Sequence, residues 1–250
     1  MTLRNKVALV TGSSRGIGAG IARVFSDRGA RVVLHGRDRE ALDRMHTDIT
    51  RAGGRAIKVT GDLTDAGEIE RMRTRIERAF GSVEVLVANA GGIRTGIGPV
   101  EDVSEATWRS TVDVNLTAAF LTIKSVLPGM KDRGAGNVVT ISSGSAHAAH
   151  ERSPVAYAAA KAGLEMLTKN VALQGGPHGV RANCIAPETI MTEANQTKIA
   201  PDVHEQLIER HPIRRLGTPD DVADAAAFLA SDESAWITGT VIDVAGGAVL

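Results

Sequence analysis

Lys6-Val7-Ala8-Leu9-Val10-Thr11-Gly12-Ser13-Ser14-Arg15-Gly16-Ile17-Gly18 is the stretch that decides the fold. Lys6–Thr11 is a short apolar run stopped by glycine, the pattern of a buried strand. Beyond the glycines, Ile17, Ile21, Val24 and Phe25 recur at helical spacing and define an amphipathic helix. Strand, glycine-rich turn and helix in that order form a dinucleotide-binding fingerprint. Gly12 suits a tight turn, Gly16 a close approach of backbone to a pyrophosphate, and Gly18 close packing of helix on strand. The helix N-terminus then faces the negative charge of the phosphates. Ser14, Arg15 and Ile17 lie inside the turn and join the same cofactor-binding set.

Outward from this unit, strand and helix alternate. Arg31–His35 reads as the second strand, ending in His35-Gly36-Arg37. In dinucleotide folds an acid at this point reads the 2′-hydroxyl of NAD, and an arginine accommodates the 2′-phosphate of NADP. Asp38 reads as the N-cap of a helix starting at Arg39, which leaves Arg37 and Arg15 beside the expected phosphate. NADP(H) is therefore expected in preference to NAD(H), with NAD(H) left open. Ala56–Thr60 is a third strand, followed by Gly61-Asp62-Leu63. Asp65–Phe80 is a helix, and Val83–Ala88 a strand ending in Asn89-Ala90-Gly91-Gly92. Ligands of a doubly wound sheet collect at these strand ends. Asp62 and Asn89 are thus candidates for adenine contact and turn stabilisation, with a plain turn role as the alternative. Residues 104–130 suit one long helix with Ser104 as N-cap and Asn115 in mid-helix, where asparagine has poor propensity. Gly136–Ile141 is a fifth strand, ending in Ser142-Ser143.

Residues 157–161 read Tyr-Ala-Ala-Ala-Lys, and Tyr157 is the only tyrosine of the chain. On a helix the i, i+4 spacing places the two side chains on one face, roughly 6 Å apart. A free phenol titrates near pH ~10. An ammonium at that separation, in an effective dielectric of ~20, favours the phenolate by roughly 3 kcal/mol, about a hundredfold in acidity. Such a phenol exchanges protons near neutrality. Taken alone, the pair equally describes an amphipathic tyrosine and a solvated lysine.

Composition narrows the classes. The chain has 250 residues, 43% of them apolar, which suits one large α/β domain or two small ones. Lys+Arg and Asp+Glu are both 29, and aromatics are 3%, so neither the basic excess nor the stacking residues of a nucleic-acid binder are present. The basic run at 71–78 covers the wet face of an amphipathic helix whose apolar residues are Ile69, Met72, Ile76 and Phe80. The single cysteine, Cys184, excludes an internal disulfide and reads as core. Neither a signal-peptide pattern nor an apolar run of spanning length appears. These features give the expectation of a soluble, cytoplasmic protein with no membrane and no nucleic-acid partner. His147 and His150 lack a third ligand at zincin spacing, so no metal is expected.

The order Thr-Gly-x-x-x-Gly-x-Gly, Asn-Ala-Gly, Asn115, Ser143 and Tyr-x-x-x-Lys resembles the short-chain dehydrogenase/reductase family. Residues 179–187, 215–223, 237–239 and 244–247 fit its later segments, with Thr218, Pro219 and Asp221 as N-cap, N1 and N3 of a helix. The resemblance covers nearly the whole chain. It implies an α/β, single-domain Rossmann fold over 1–250, doubly wound, with about seven parallel strands, helices on both faces and a substrate loop at about 188–215. It also implies a catalytic set. Tyr157 is the general acid or base, and Lys161 lowers its pKa and holds the nicotinamide ribose. Ser143, preferred to Ser142 and Ser145, donates to the substrate oxygen, and Asn115 holds a water linking Lys161 to solvent. Ala90, Gly91 and Leu63 join the cofactor set, and Pro187, Ile190 and Thr192 contact the nicotinamide amide and phosphates. The family is commonly tetrameric through its two long helices, here 104–130 and 155–174, so a homotetramer acting on a small-molecule substrate is expected.

Three departures from the family pattern stand out. Ala88 replaces the first Asn of Asn-Asn-Ala-Gly, Glu188 stands where glycine commonly follows Pro187, and Ala245 replaces an aspartate. Glu188 puts the path of the 187–192 loop in question and adds a negative charge near the site. The loops 92–100, 144–154 and 188–215 line the substrate pocket. Among them His147, His150, Glu151 and Arg152 make a polar lip, read either as meeting a polar or anionic substrate through Arg152 or as facing water. Three classes follow. The first is an NADP-dependent oxidoreductase acting on a carbonyl or secondary alcohol. The second is a 3-oxoacyl thioester reductase that docks an acidic carrier protein through Lys131 and Arg133. The third is a non-catalytic NADP-binding sensor, which has no need of a positioned phenol.

Overall fold

The computed structural model describes residues 2–93, 96, 98–147 and 154–248. Strands β1 (Val7–Val10), β2 (Arg31–His35), β3 (Arg55–Val59), β4 (Val85–Ala88), β5 (Gly136–Ile141), β6 (Val180–Pro187) and β7 (Val241–Val244) form one sheet. Its order is β3-β2-β1-β4-β5-β6-β7, and every neighbouring pair is parallel. The expected doubly wound sheet of seven strands is therefore observed.

Alternation along β1 shows how the layers assemble. Ala8 and Val10 point to one face, where they meet Ile21 and Phe25 of α1 (Gly16–Asp27), Leu42 and Met45 of α2 (Arg39–Arg51) and Val222 and Ala226 of a helix at Pro219–Ala230. Val7 and Leu9 point to the other face and meet Ile69, Met72 and Ile76 of α3 (Ala66–Phe80). A parallel sheet covered on both sides needs strands apolar at every position, and β1 is buried along its whole length.

The helix expected over 104–130 is interrupted. α4 (Glu105–Val112), with Ser104 as its N-cap, runs into a π-helical turn at Asp113–Thr117 and continues as α5 (Ala118–Asp132). α6 (Val155–Gly175) follows β5. After β6 come two short helices, α7 (Glu193–Lys198) and α8 (Pro201–Arg210), and then α9 (Pro219–Ala230). Among the described residues no helix is long and apolar enough to cross a membrane.

The chain steps outward from β1 through β2 to β3, then returns to place β4 on the other flank of β1. That reversal opens a crevice at the carboxyl ends of β1 and β4. Thr11-Gly12 borders it on one side and Asn89-Ala90 on the other.

Candidate active site

The crevice is a cleft of about 380 Å3 lined by Gly12, Ser14, Arg15, Arg37, Asp62, Leu63, Ala90 and Gly91 among others. Gly12 adopts φ +66°, the left-handed region the turn requires. Gly18 packs against this turn from below. A Cβ there would lie 2.4 Å from Gly12 O and 2.5 Å from Asn89 Nδ2, so no side chain fits. Asn89 braces the turn, donating from Nδ2 to Thr11 O at 2.9 Å and Gly12 O at 3.2 Å. Its side chain is spent on the loop rather than on a base. Thr11 completes the brace. Its hydroxyl donates to Val87 O and accepts from the N–H groups of Asn89 and Ala90. The sequence pattern gave Thr11 no role.

Anion-binding capacity at the start of α1 is visible directly. The Gly16 N–H donates at 3.2 Å to a carboxylate oxygen of Glu193, the first residue of α7. A carboxylate thus stands where the fingerprint expects a pyrophosphate, and the site accepts negative charge as helix N-termini do. Thr192 caps α7 through the Asn195 N–H and lies directly over the glycine turn, its Cγ2 being 3.2 Å from a Cβ built on Gly16. Ile190 forms a bridge to Gly217, and its side chain belongs to the core. Its carbonyl accepts from the Thr192 N–H at 2.9 Å and from Asn195 Nδ2 at 2.8 Å. Ile17 is half-buried and packs against the same core. Pro187 ends β6, buried.

Asp38 caps α2 as expected, accepting from the Ala41 N–H at 3.0 Å. It also pairs with the Arg15 guanidinium. The Ala41 N–H, and then the charges of Arg15 and Arg44, hold its carboxyl below the usual range. Asp62 accepts from the N–H and hydroxyl of Thr64 and is exposed at the edge of the cleft.

At the far end of the cleft the structure brings together Asn115, Ser143, Tyr157 and Lys161. Tyr157 lies in the first turn of α6, half-buried, with the Ser143 side chain near enough to its phenol to lower the phenol's pKa. Ser142, by contrast, points away. Its hydroxyl donates to Glu165 Oε1 at 2.8 Å and to the Lys161 carbonyl at 3.2 Å. Geometry thus favours Ser143 over Ser142. Lys161 is 3% exposed, its ammonium donates to Ile141 O at 2.7 Å, and it lies 5.6 Å from the Tyr157 ring centroid.

Electrostatics correct one expectation. Spacing alone predicts a phenol made more acidic by Lys161. Instead the Tyr157 pKa lies above its ordinary 10.0, chiefly because burial penalises the phenolate, with the Ser143 side chain opposing and the charge of Glu188 adding to the rise. Burial likewise pulls Lys161 down to about 8. The Coulomb argument treats both groups as solvated, whereas both pay for desolvation.

Asn115 explains the π turn. Its Nδ2 donates to Thr111 O at 2.9 Å and Gly92 O at 3.0 Å, while Oδ1 accepts from the Gly92 N–H at 2.9 Å. The extra residue in the turn re-aims this buried side chain across to the loop that follows β4, a use to which π turns are often put.

Two further expectations change. His147 is no free pocket lip. Its Nε2 lies 3.0 Å from Glu165 and its Nδ1 3.0 Å from Asp243, which tie the loop after Ser143 to α6 and β7. Of the polar residues expected beside it, His150, Glu151 and Arg152 lie outside the described residues. Lys131 and Arg133 are not beside the site. Arg133 donates to Val83 O, ahead of β4, and Lys131 borders a groove with His178, just past the C-terminal end of α6. Tyr157 opens that 21-residue helix, about 30 Å long. Glu188, in contrast, leaves the loop path regular: its N–H donates to Val244 O, the Thr189 carbonyl accepts from the Gly217 N–H, and the Met191 N–H donates to Gly217 O.

A sheet wound both ways about such a crevice, with a glycine turn ready for an anion and a phenol at the strand tips, defines a dinucleotide-binding oxidoreductase architecture. Comparison with known proteins agrees. A family profile described as enoyl-(acyl carrier protein) reductase matches residues 12–249. Cis-4-hydroxycyclohexanecarboxylate dehydrogenase of Sinomonas cyclohexanicum is 38% identical over 244 residues, covering 97% of this chain and 96% of that protein. The crystal structure of a gluconate 5-dehydrogenase from Burkholderia cenocepacia, in complex with NADP and tartrate, superposes with a TM-score of 0.92 at 30% identity, covering 99% of this chain and 96% of the other. A 3-oxoacyl-[acyl-carrier protein] reductase from Brucella melitensis with bound NAD gives 0.90 at 32% identity, covering 100% and 93%. The chain belongs to the short-chain dehydrogenase/reductase family and is an oxidoreductase of that kind.

Proposed function

We propose that this protein is an NADP(H)-preferring oxidoreductase that interconverts a small carbonyl compound and its secondary alcohol, with Tyr157 exchanging the proton. The observation that carries this reading is the buried Lys161 ammonium 5.6 Å from the Tyr157 ring centroid, with Ser143 beside the phenol at the strand tips.

The cofactor supplies or accepts the hydride when bound. The glycine turn, Ser14, Arg15, Arg37 and Asp62 would hold its adenosine half, and Pro187, Ile190, Thr192 and Lys161 its nicotinamide half. The chain does the rest. In reduction the Tyr157 hydroxyl gives its proton to the substrate oxygen as negative charge builds there, and in oxidation the phenolate takes the alcohol proton. Ser143 donates to the same oxygen and holds it in reach. Lys161, with its pKa at about 8, is charged at neutral pH and stabilises the phenolate whenever it forms. Asn115 positions the loop of Gly92 beside that lysine.

Arg37 and Arg15 support the NADP(H) preference, because the acid nearest the end of β2, Asp38, is committed to capping α2 and to Arg15. The distance of Lys131 and Arg133 from Tyr157 favours a free small molecule over a substrate carried on an acidic protein. A homotetramer built through α4, α5 and α6, working in the cytoplasm, completes the proposal. The test is kcat/KM for a panel of ketones with NADPH and with NADH. We expect NADPH to be favoured and Arg37→Ala to lower the NADPH value by about tenfold, as loss of a charge-assisted phosphate contact does. A wild type that favours NADH would reject the preference.

A further inference from the structure

His35 closes β2 and is 3% exposed, yet each of its polar atoms is engaged. Its backbone N–H donates to Ser13 Oγ at 3.0 Å and its carbonyl accepts from the Ser13 N–H at 2.9 Å. Its Nδ1 accepts from the Gly12 N–H at 3.3 Å, and its Nε2 lies 3.1 Å from Gly61 O. These partners fix the state of the ring. A carbonyl oxygen only accepts, so Nε2 carries the hydrogen. An amide N–H only donates, so Nδ1 is bare. The ring is therefore the neutral Nε2–H tautomer, and it joins the glycine turn after β1 to the residue preceding Asp62 after β3. Both segments line the same cleft.

We propose that His35 is a positioning residue for the cofactor, a bracket that sets the two walls of the adenosine pocket while neutral and releases Gly12 when protonated. The proposal rests on the reading that this cleft holds a nicotinamide dinucleotide. Protonation would set an Nδ1–H against the Gly12 N–H in a buried site. The glycine turn would then have to move, and with it the pyrophosphate seat. The groups facing the ring are few. Arg37 on its own strand end disfavours the charged form, and Asp62 beyond β3 favours it. On the β1 side the ring meets the uncharged Gly12 and Ser13, and the nearby Arg15 is paired with Asp38. Burial, the largest influence, pushes the imidazole below its ordinary 6.5, with the Gly61 bond opposing. A depressed folded pKa means that the stability contributed is complete above 6.5 and is lost as pH falls below it.

The test pairs a measurement that needs no cofactor with one that does. Long-range proton–nitrogen NMR of the cofactor-free protein should show His35 as the Nε2–H tautomer, still neutral at pH 6.5. NADPH dissociation constants, read by nucleotide fluorescence from about pH 5 to pH 8, should be flat above the ordinary imidazole pKa and rise below it. His35→Asn keeps an acceptor where Nδ1 was. It loses the Nε2 bond to Gly61 O, one arm of the bracket, so it should bind about threefold to tenfold more weakly than wild type at neutral pH and lack that part of the acid loss. The 2′-phosphate of NADPH titrates equally in both proteins and cancels in the comparison. His35→Leu, which orphans the Gly12 N–H, should bind about tenfold more weakly throughout. An Nδ1–H tautomer, a His35 titration near the ordinary value, or an Asn variant with the wild-type acid limb would overturn the proposal. A wild type that binds no NADPH at any pH would instead overturn the cofactor reading on which it rests.

Discussion

The phenol of Tyr157 feels three influences, and they rank in order: burial raises its pKa, the Ser143 side chain lowers it, and the charge of Glu188 raises it again. Glu188 is the one of these that a single substitution removes without disturbing the backbone, since its structural bond to Val244 is made by its N–H. In Glu188→Gln the phenol's pKa should fall. The rise of alcohol-oxidation kcat/KM with pH, which follows phenolate formation, should therefore move to lower pH. A pH–rate profile superimposable on wild type would contradict the assignment. The residues of this set were legible because i, i+4 spacing and motif order fix who sits where. Their electrostatics were not, since spacing reports separation and says nothing of solvation, and here burial reverses the sign of the predicted shift. Glu165 illustrates the boundary. It follows Lys161 at i+4 and was within reach of the same argument, but its link through His147 to Asp243 joins residues that lie far apart in the chain.

At the scale of elements, the helix caps carry readable energy. Thr218 and Asp221 close a reciprocal capping box at the start of α9, and Asp221 also holds Arg215 through two bonds of 2.7 Å. The Arg215 guanidinium keeps the Asp221 carboxyl well below the usual carboxylate range. A depressed folded pKa means that this contribution is complete above 3.8 and is lost as pH falls through the folded value. Thr218→Ala should cost about 1 kcal/mol and lower the thermal midpoint by about 2–4 °C at neutral pH. An unchanged midpoint would show the cap to be idle. This cap, that of Asp38 and that of Ser104 were all readable, because each sets a short polar acceptor just before an apolar repeat. The π turn around Asn115 was not. A one-residue insertion leaves residues 104–130 looking like one continuous helix, and only the fold shows that the inserted residue re-aims Asn115 at Gly92.

For the molecule as a whole, the layer order was legible because strands apolar at every position require cover on both faces, and helices with one apolar stripe supply it. The outer face of α4, α5 and α6 keeps large apolar side chains in contact with solvent. Trp108, Phe120, Met166 and Leu173 are exposed there, Leu173 by 76%. If that face builds a homotetramer, the wild type should sediment as four copies and a Met166→Glu, Leu173→Glu double variant as smaller species. A monomeric wild type, or a double variant of unchanged mass, would reject this. The central claim concerns chemistry rather than assembly, and one comparison reaches it most directly: NADPH oxidation by the wild type and by Tyr157→Phe with a responsive carbonyl substrate, alongside NADPH affinity for each. The account predicts equal affinity and a turnover lowered by roughly 10^2–10^4 in the variant, the range of a lost general acid. A phenylalanine variant that turns over as fast as the wild type would contradict it.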